Sequence, residues 1–135
     1  MKVMKIFCDG GARGNPGPAA AAFVAYDSAG KLIHKASRFL GNATNNVAEY
    51  EALIMALDWL TENQKGAVEI ILDSELVTKQ MRGEYKIKNA ALQVSAGRAK
   101  ALEKNLAHKH IYRHMVRAGN TEADFLVNET LDQNL

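Results

Sequence analysis

The sequence has little of several residue types that restrict the class of protein. Its 135 residues include one cysteine, two prolines and one tryptophan, and 7% are aromatic. A single cysteine, Cys8, excludes an internal disulfide and fits a reducing compartment. No apolar run approaches the roughly 20 residues of a membrane-spanning helix, and the stretch before Asp9 is too short for a signal peptide. We therefore expect a cytoplasmic protein with no membrane segment.

The chain also lacks internal repeats, low-complexity tracts and linker-like segments. Its composition, 47% apolar and 24% charged, is that of an ordinary globular protein. The length is enough for one domain with a sizeable core. We therefore expect residues 1–135 to form a single domain.

Short apolar runs alternate with amphipathic segments, which predicts a mixed α/β fold with a sheet covered by helices. Segment 10–18 contains four glycines and two prolines and is predicted to be an irregular turn. Asn46 and Glu49 resemble a capping box, and Asn120 resembles an N-cap. The predicted strands are 3–9, 19–26, 31–40, 68–73 and 109–116, and the predicted helices are 45–63, 74–82, 89–106 and 121–132.

Four carboxylates occupy positions that a folded protein normally keeps apolar. Asp9 and Asp73 end apolar strands, whereas Glu49 and Asp124 lie in first helical turns on the inward face. If the first and fourth strands are adjacent and parallel, their carboxyl ends share one edge of the sheet. Burying several acids together is costly unless a cation neutralises them. The pattern predicts a metal-dependent hydrolase.

Each acid also has an ordinary structural explanation. Glu49 completes a capping box, Asp124 is a first-turn acid, Asp73 caps the next helix, and Asp9 precedes a glycine turn. All four point to the same end of the sheet, however, which favours a shared site. Oxygen ligands without a zinc-type Cys or His cluster suit Mg²⁺ or Mn²⁺, and two such ions support phosphoryl displacement. No serine-nucleophile motif is present.

The net charge of +2 is only weakly informative about partners. Without these four acids, however, the chain has 11 acidic and 17 basic residues. A chain whose buried acids are neutralised by cations therefore has a moderately basic surface, which suits a polyanion. A mildly basic protein without such a partner remains the alternative.

Five motifs, in this order and spacing, resemble the type 1 ribonuclease H family over nearly the whole chain. They are Phe7-Cys8-Asp9-Gly10-Gly11 with Arg13-Gly14-Asn15-Pro16-Gly17, Thr44-Asn45-Asn46-Val47-Ala48-Glu49, Leu72-Asp73-Ser74, Gly83-Glu84-Tyr85-Lys86-Ile87-Lys88-Asn89, and Asn120-Thr121-Glu122-Ala123-Asp124.

The resemblance implies a five-stranded mixed sheet of order 3-2-1-4-5 and cleavage of the RNA strand of RNA–DNA hybrids, leaving 5′-phosphate and 3′-hydroxyl ends. It implies two Mg²⁺ ions, with Mn²⁺ able to substitute. By that similarity Asp9 bridges both ions, Asp124 serves the ion that activates water, and Glu49 and Asp73 serve the ion on the leaving side.

The resemblance also implies a set of substrate contacts. The backbone of Gly10 and Gly11 approaches the RNA strand, and Ser74 with Glu49 contacts 2′-hydroxyls, the groups that mark RNA. A pocket for a phosphate of the DNA strand is formed by Arg13, Asn15, Thr44 and Asn46. Read without the family, the asparagines are ordinary turn and cap residues.

The chain departs from many family members by lacking a long basic protrusion before the last helix. This places it with an archaeal-like, short prokaryotic subgroup and predicts weaker, more salt-sensitive binding. The alternative for the basic residues at that point is a solvated surface. These residues are Lys79, Arg82, Lys86 and Lys88.

A second departure concerns the auxiliary catalytic group that precedes the last acid. His114 lies ten residues before Asp124, but its surroundings predict a strand. Arg117 lies seven residues before Asp124 and resembles the basic residue of the archaeal-like subgroup. We favour Arg117 and keep His114 as the alternative.

Three rival interpretations share the same motifs. In the first, the site also cleaves double-stranded RNA, which is A-like and rich in 2′-hydroxyls. In the second, the chain is a binding module without catalysis. In the third, it is a domain of a larger polypeptide. The intact set of acids disfavours the second. We expect a free-standing monomeric enzyme.

Overall fold

A computed structural model describes residues 3–116 and 120–134 of the chain. The described residues form five strands and four helices, which follow one another in the order that the sequence predicts. They are β1 (Met4–Ala12), β2 (Gly17–Tyr26), β3 (Leu32–Ala43), α1 (Asn45–Asn63), β4 (Val68–Leu72), α2 (Glu75–Met81), α3 (Ala90–Glu103), β5 (His110–His114) and α4 (Thr121–Gln133).

The strands form one mixed sheet of order β3-β2-β1-β4-β5, which confirms the predicted order. β1 pairs antiparallel with β2, and β2 with β3. β1, β4 and β5 run parallel to one another. The carboxyl ends of these three strands therefore meet at one edge of the sheet, where open α/β sheets place their ligands.

The segment between β1 and β2 is more regular than predicted. Gly10, Gly11 and Ala12 continue β1 and pair with Ala21, Ala20 and Ala19. Residues 13–16 alone make the turn. The prediction of an irregular segment 10–18 is therefore wrong, because long-range pairing with an alanine-rich strand outweighs the weak strand propensity of glycine.

One face of the sheet is covered by α1, which spans the predicted residues. Its inward side is apolar, so the helix contributes Leu53, Leu57 and Leu60 to the main core. The helix begins at a cap made by Thr44, whose hydroxyl oxygen accepts a hydrogen bond from the Val47 N–H at 3.2 Å. The predicted capping box of Asn46 and Glu49 is wrong, which leaves the Glu49 side chain available for another role.

The opposite face of the sheet is covered by α4. Its residues Leu126, Val127 and Leu131 pack on Ala20 and Val24 of β2. Small alanine side chains along β2 let the helix lie close to the sheet, so Asp124 comes near the end of β1.

The remaining helices are shorter than predicted. α2 and α3 begin at capping residues Ser74 and Asn89, and α3 ends at Glu103 because residues 104–106 turn towards β5. The buried hydroxyl of Tyr50 donates to Gln80 at 2.7 Å and ties α1 to α2. Within the described residues no helix combines the length and apolar character needed to cross a bilayer.

Candidate active site

The four acids reach the same edge of the sheet from four different elements. Asp9 lies in β1, Asp73 directly follows β4, and Asp124 lies in the first turn of α4. Glu49 lies just after the first turn of α1, one step later than predicted, because the helix begins at Asn45 after the Thr44 cap. Asp9, Glu49 and Asp73 each offer a carboxylate oxygen within 4.8 Å of the others. This spacing fits a shared cation, so the predicted convergence of these three acids is seen in the fold.

The first two of these acids are buried with few hydrogen-bond donors. Asp9 is 1% exposed, and apart from neighbouring carboxyls no group of the described residues donates to its oxygens. Glu49 accepts one hydrogen bond, from the Gly10 N–H to Oε1 at 3.2 Å. Its buried Oε2, like the oxygens of Asp9, receives no hydrogen bond from the described residues apart from neighbouring carboxyls. Buried oxygens without donors are what a cation would satisfy.

The electrostatics of the cluster agree with this interpretation. Burial raises the pKa of Asp9 to about 8, and the nearby charges of Asp73 and Asp124 add to the shift. Burial, then Asp73 and Asp9, also raise the pKa of Glu49, against the lowering effect of the Gly10 N–H. The apo fold thus disfavours full ionisation of the cluster, and a bound divalent cation would restore it.

Three of the acids, Glu49, Asp73 and Asp124, line a cleft of about 540 Å³, and the buried Asp9 lies next to the lining residue Gly10. The cleft wall includes most of the residues that the sequence singles out, together with Asn45, Asn128 and apolar residues of α4. The predicted site residues that line it are Gly10, Gly11, Arg13, Asn46, Glu49, Asp73, Ser74 and Asp124. Most of these lining residues are polar or charged, which suits a polar ligand.

Asn15 lies in the turn after β1 and Thr44 caps the start of α1; both side chains bind backbone N–H groups, and neither residue lines the cleft. The Asn15 side chain accepts the Asn45 N–H at 2.9 Å, and the Asn45 side chain in turn accepts the Ala12 N–H at 2.9 Å. Sequence reasoning missed Asn45, whose signal is the unbroken polar run that begins at Thr44. This network fixes the turn after β1 against the N-terminus of α1.

Arg13 lines the cleft, but its guanidinium reaches towards α4. It pairs with Asp132 at 2.7 Å and donates to the backbone carbonyl of Asn128 at 3.4 Å. Neither partner is visible in the local sequence, because both lie more than 110 residues away. A role for Arg13 in holding phosphate stays a prediction, and it requires the side chain to exchange an exposed partner.

His114 ends β5, where its Nε2 lies 3.3 Å from the backbone oxygen of Asp73. The histidine is therefore beside the acid cluster, on a strand as the sequence predicts. Arg117, the favoured auxiliary group, lies outside the described residues. The choice between the two stays a prediction.

Gly10 and Gly11 lack side chains for different reasons. A Cβ on Gly10 would lie 2.2 Å from the Ala48 carbonyl oxygen, so α1 itself excludes one. Among the residues that the structure describes, a Cβ on Gly11 would meet only Val127, at an ordinary 3.8 Å. The open space at Gly11 is consistent with close approach of a ligand, whereas glycine at position 10 is already required by packing.

We predict a pH dependence for the metal-free protein from the raised pKa of Asp9. A carboxyl whose folded pKa lies above its ordinary value of 3.8 stabilises the fold while protonated, and this contribution is lost as pH rises towards about 8. The melting temperature in chelator should therefore fall between about pH 5 and 8. Stabilisation by Mg²⁺ should grow over the same interval, because binding requires the ionised form. Thermal melts with chelator and with Mg²⁺ measure both, and a cation effect independent of pH would contradict the prediction.

The chain is similar to known proteins over most of its length. The family model for RNase H matches residues 1–132. A bifunctional protein of Mycobacterium tuberculosis is 38% identical over 133 residues, which is 98% of this chain and 36% of that protein. Ribonuclease HI of Halobacterium salinarum is 39% identical over 126 residues, or 93% of this chain and 63% of that protein. The chain thus spans between about a third and two thirds of the length of these relatives.

Solved structures show the same fold at comparable identity. The crystal structure of LC11-RNase H1 in complex with an RNA/DNA hybrid superimposes with a TM-score of 0.91 at 40% identity, covering 97% of this chain and 98% of that one. RNase H1 of Halobacterium salinarum gives 0.90 at 37% identity, covering 96% and 98%. Since the family model spans nearly every residue, this chain belongs to the RNase H family.

Proposed function

We propose that the chain hydrolyses the RNA strand of RNA–DNA hybrids, with water as the nucleophile, and leaves 5′-phosphate and 3′-hydroxyl ends. One observation carries the proposal: Asp9 and Glu49 are buried carboxylates whose donor-poor oxygens converge with Asp73, beside a cleft that Glu49 and Asp73 line. Family membership and the hybrid-bound relative support the choice of substrate. Without a cation, this arrangement only destabilises the fold.

We propose Mg²⁺ as the resident cation, two ions per site, with Mn²⁺ able to replace it. Asp9, Glu49, Asp73 and Asp124 would hold them, because hard cations prefer carboxylate oxygens. When bound, such ions supply an activated water and stabilise the leaving oxygen. The protein's own part is to fix the four carboxylates, and it does so from within β1, from the end of β4 and from the first two turns of α1 and α4.

Recognition of the RNA strand is proposed for the backbone of Gly10 and Gly11 and for the side chains of Ser74 and Glu49, which line the cleft around the acids. The Ser74 hydroxyl oxygen accepts the Val77 N–H at 3.2 Å, and its O–H can still donate to a ligand in the cleft. A 2′-hydroxyl can act as donor and acceptor, which matches a hydroxyl beside a carboxylate. Specificity would be for backbone shape, because these groups are suited to sugar and phosphate rather than base edges.

The short α2–α3 connection supports placement in the subgroup without a basic protrusion. Lys79 is paired with Glu75 at 3.0 Å, and Arg82 donates to the Tyr112 carbonyl at 2.7 Å. Only Lys86 and Lys88 of the four predicted basic residues are left without such a role among the described contacts. We therefore propose weak binding of the hybrid, since few cations are placed to neutralise phosphates.

All four acids come from one chain, so the site needs no residue of a second subunit. We accordingly propose that residues 1–135 act as one domain and as a monomer. We propose that the protein acts in the cytoplasm, where Mg²⁺ is available. His114 and Arg117 remain the two candidates for an auxiliary role in releasing product.

We predict that Gly11→Ala leaves the fold intact but weakens substrate binding. Of the described residues, the added methyl would contact only Val127, and it would lie at the wall of the cleft beside Gly10. The expected result is an unchanged melting temperature and a KM for hybrid raised about tenfold, because backbone approach is blocked. Steady-state kinetics and a thermal melt measure the two effects. Normal KM in a folded variant would remove Gly11 from the proposed contacts.

The proposal is tested with a duplex in which the RNA strand carries the label. Wild-type protein should cut the RNA strand of the hybrid with Mg²⁺ and not with chelator, and Asp73→Asn should be inactive. Parallel double-stranded RNA and DNA substrates decide the alternative that A-like duplexes in general are cut. No cleavage of hybrid by the wild type, or full cleavage by Asp73→Asn, would defeat the proposal. If the wild type cuts no hybrid, the remaining interpretation is a module that binds hybrid without catalysis.

A further inference from the structure

Asn120 differs from the residues that begin the other helices. Thr44, Ser74 and Asn89 each accept a hydrogen bond from the backbone N–H three residues further on, at 3.1 to 3.2 Å. Asn120 occupies the same position before α4 and is a residue type that caps well, yet its side chain makes no capping bond. The sequence prediction of a capping Asn120 is therefore correct in position and wrong in function.

The Asn120 side chain turns into the protein instead. Its Nδ2 donates to the backbone carbonyl of Cys8 at 2.8 Å, and the residue is 1% exposed. Its Oδ1 is buried and receives no hydrogen bond from the described residues. Both the missing cap and the unsatisfied oxygen cost stability. Stability of α4 alone therefore does not explain this conformation.

The two hydrogen bonds of Asn120 join the backbones that carry two of the acids. The Cys8 carbonyl belongs to the peptide unit that leads into Asp9. The carbonyl of Asn120 itself accepts the Asp124 N–H at 3.2 Å. One residue thus connects the backbone at Asp9 to the backbone at Asp124, across 112 positions of the chain.

A link at this point is needed because the two carboxylates repel each other. The large apolar side chains that hold α4 on the sheet are Leu126, Val127 and Leu131, all beyond Asp124. In the first turn the buried apolar side chain is the small Ala123, so this turn has little packing to oppose like-charge repulsion between Asp124 and Asp9. The hydrogen bond from Asn120 to Cys8 lies at the end of the helix where that repulsion acts.

We infer that Asn120 is a positioning residue that holds Asp124 against Asp9, so that the acids are placed for a divalent cation before it binds. Asn120 touches neither the cation nor the hybrid; it acts through the backbones of the two acids. The inference rests on the proposed function and extends it to a residue outside the acid cluster. Residues that orient metal ligands commonly change metal affinity when they are replaced.

Asn120→Ser separates positioning from stability. Serine caps a helix well but is too short to reach the Cys8 carbonyl, so it restores the cap and removes the link. We expect a melting temperature in chelator close to that of the wild type. The Mg²⁺ concentration for half-maximal cleavage should rise about tenfold, with kcat recovered at excess Mg²⁺. Without any hybrid, the rise in melting temperature caused by Mn²⁺ should shrink. Asn120→Ala offers no cap. It should change the half-maximal Mg²⁺ concentration and the effect of Mn²⁺ on melting by as much as Asn120→Ser does.

Thr130→Val is the matched control on the same helix. Its hydroxyl donates to Ser37 at 2.9 Å, so the variant also removes one hydrogen bond between α4 and the sheet. That bond lies at the far end of α4 from Asp124. We expect this variant to change neither the half-maximal Mg²⁺ concentration nor the effect of Mn²⁺ on melting.

Each outcome decides the inference. Equal cation dependence in wild type and Asn120→Ser overturns it, as does a kcat that excess Mg²⁺ fails to recover. Unfolding of both Asn120 variants where Thr130→Val remains folded also overturns it, because Asn120 would then be a stability element. If the wild type binds Mn²⁺ but cuts no hybrid, the proposed function fails, and the Mn²⁺ melting shifts still decide the role of Asn120.

Discussion

Asp9→Asn is expected to abolish cleavage of the hybrid and, at the same time, to stabilise the metal-free protein. Asp9 is the most buried of the acids, and its carboxylate lies among others with which it competes for protons. An amide removes one negative charge from this cluster and donates a hydrogen bond to a neighbouring carboxylate. The same change removes the ligand that is central to cation binding, so activity should fall by roughly a thousandfold or more.

Two measurements check this pair of effects. Cleavage at saturating Mg²⁺ should be undetectable, and the melting temperature in chelator at pH 8 should rise by roughly 2–4 °C, as expected for about 1 kcal/mol in a domain of this size. Mg²⁺ should add little further stability to the variant. Asp58→Asn is a suitable control, because Asp58 is exposed on the outer side of α1. A less stable, still active Asp9→Asn protein would contradict the account of the acid cluster.

Gly10→Ala is expected to destabilise the fold severely. The added methyl would lie 2.2 Å from the Ala48 oxygen and 2.6 Å from the Glu49 nitrogen, and both are backbone atoms in the first turns of α1. The helix would have to move away from β1, at a cost of about 3 kcal/mol or more. That movement would also break the hydrogen bond from the Gly10 N–H to Glu49, so activity should be lost with stability.

Gly11→Ala is the matched control for this prediction. It adds the same methyl one residue further along β1, where the nearest atom is a Val127 methyl at 3.8 Å. Chemical denaturation of the two variants should therefore give a large loss of unfolding free energy for Gly10→Ala and almost none for Gly11→Ala. Equal stability of both would show that β1 and α1 separate easily, in conflict with the close packing at Gly10.

Much of the site could be predicted from the sequence because strand ends and helix starts are local features. Asp9 and Asp73 end apolar runs, and the parallel arrangement of β1 and β4 then brings them together. The order of the sheet followed from resemblance to a known family, since local patterns do not determine which strands are neighbours. The structure confirms that order.

The errors share a physical cause, which is competition between local propensity and distant partners. Gly10 and Gly11 form strand because β2 supplies pairing partners. Asn120 has the local properties of a cap, but a carbonyl 112 positions away receives its hydrogen bond. The Arg13 guanidinium pairs with Asp132 at the other end of the chain. None of these partners is visible within a short window of sequence.

The site therefore depends on elements whose packing keeps like charges together. β1 and β4 supply the floor, α1 closes over Gly10, and α4 brings the fourth acid from the opposite face of the sheet. Such a cluster costs stability in the absence of a cation. The same cost favours cation binding, because it is recovered when the cation enters.

Anomalous diffraction from crystals soaked in Mn²⁺ tests the central claim most directly. The account predicts anomalous density between the carboxylates of Asp9, Glu49, Asp73 and Asp124, and its disappearance in crystals of Asp9→Asn. Ordered crystals in saturating Mn²⁺ that show no anomalous density at these carboxylates would contradict it.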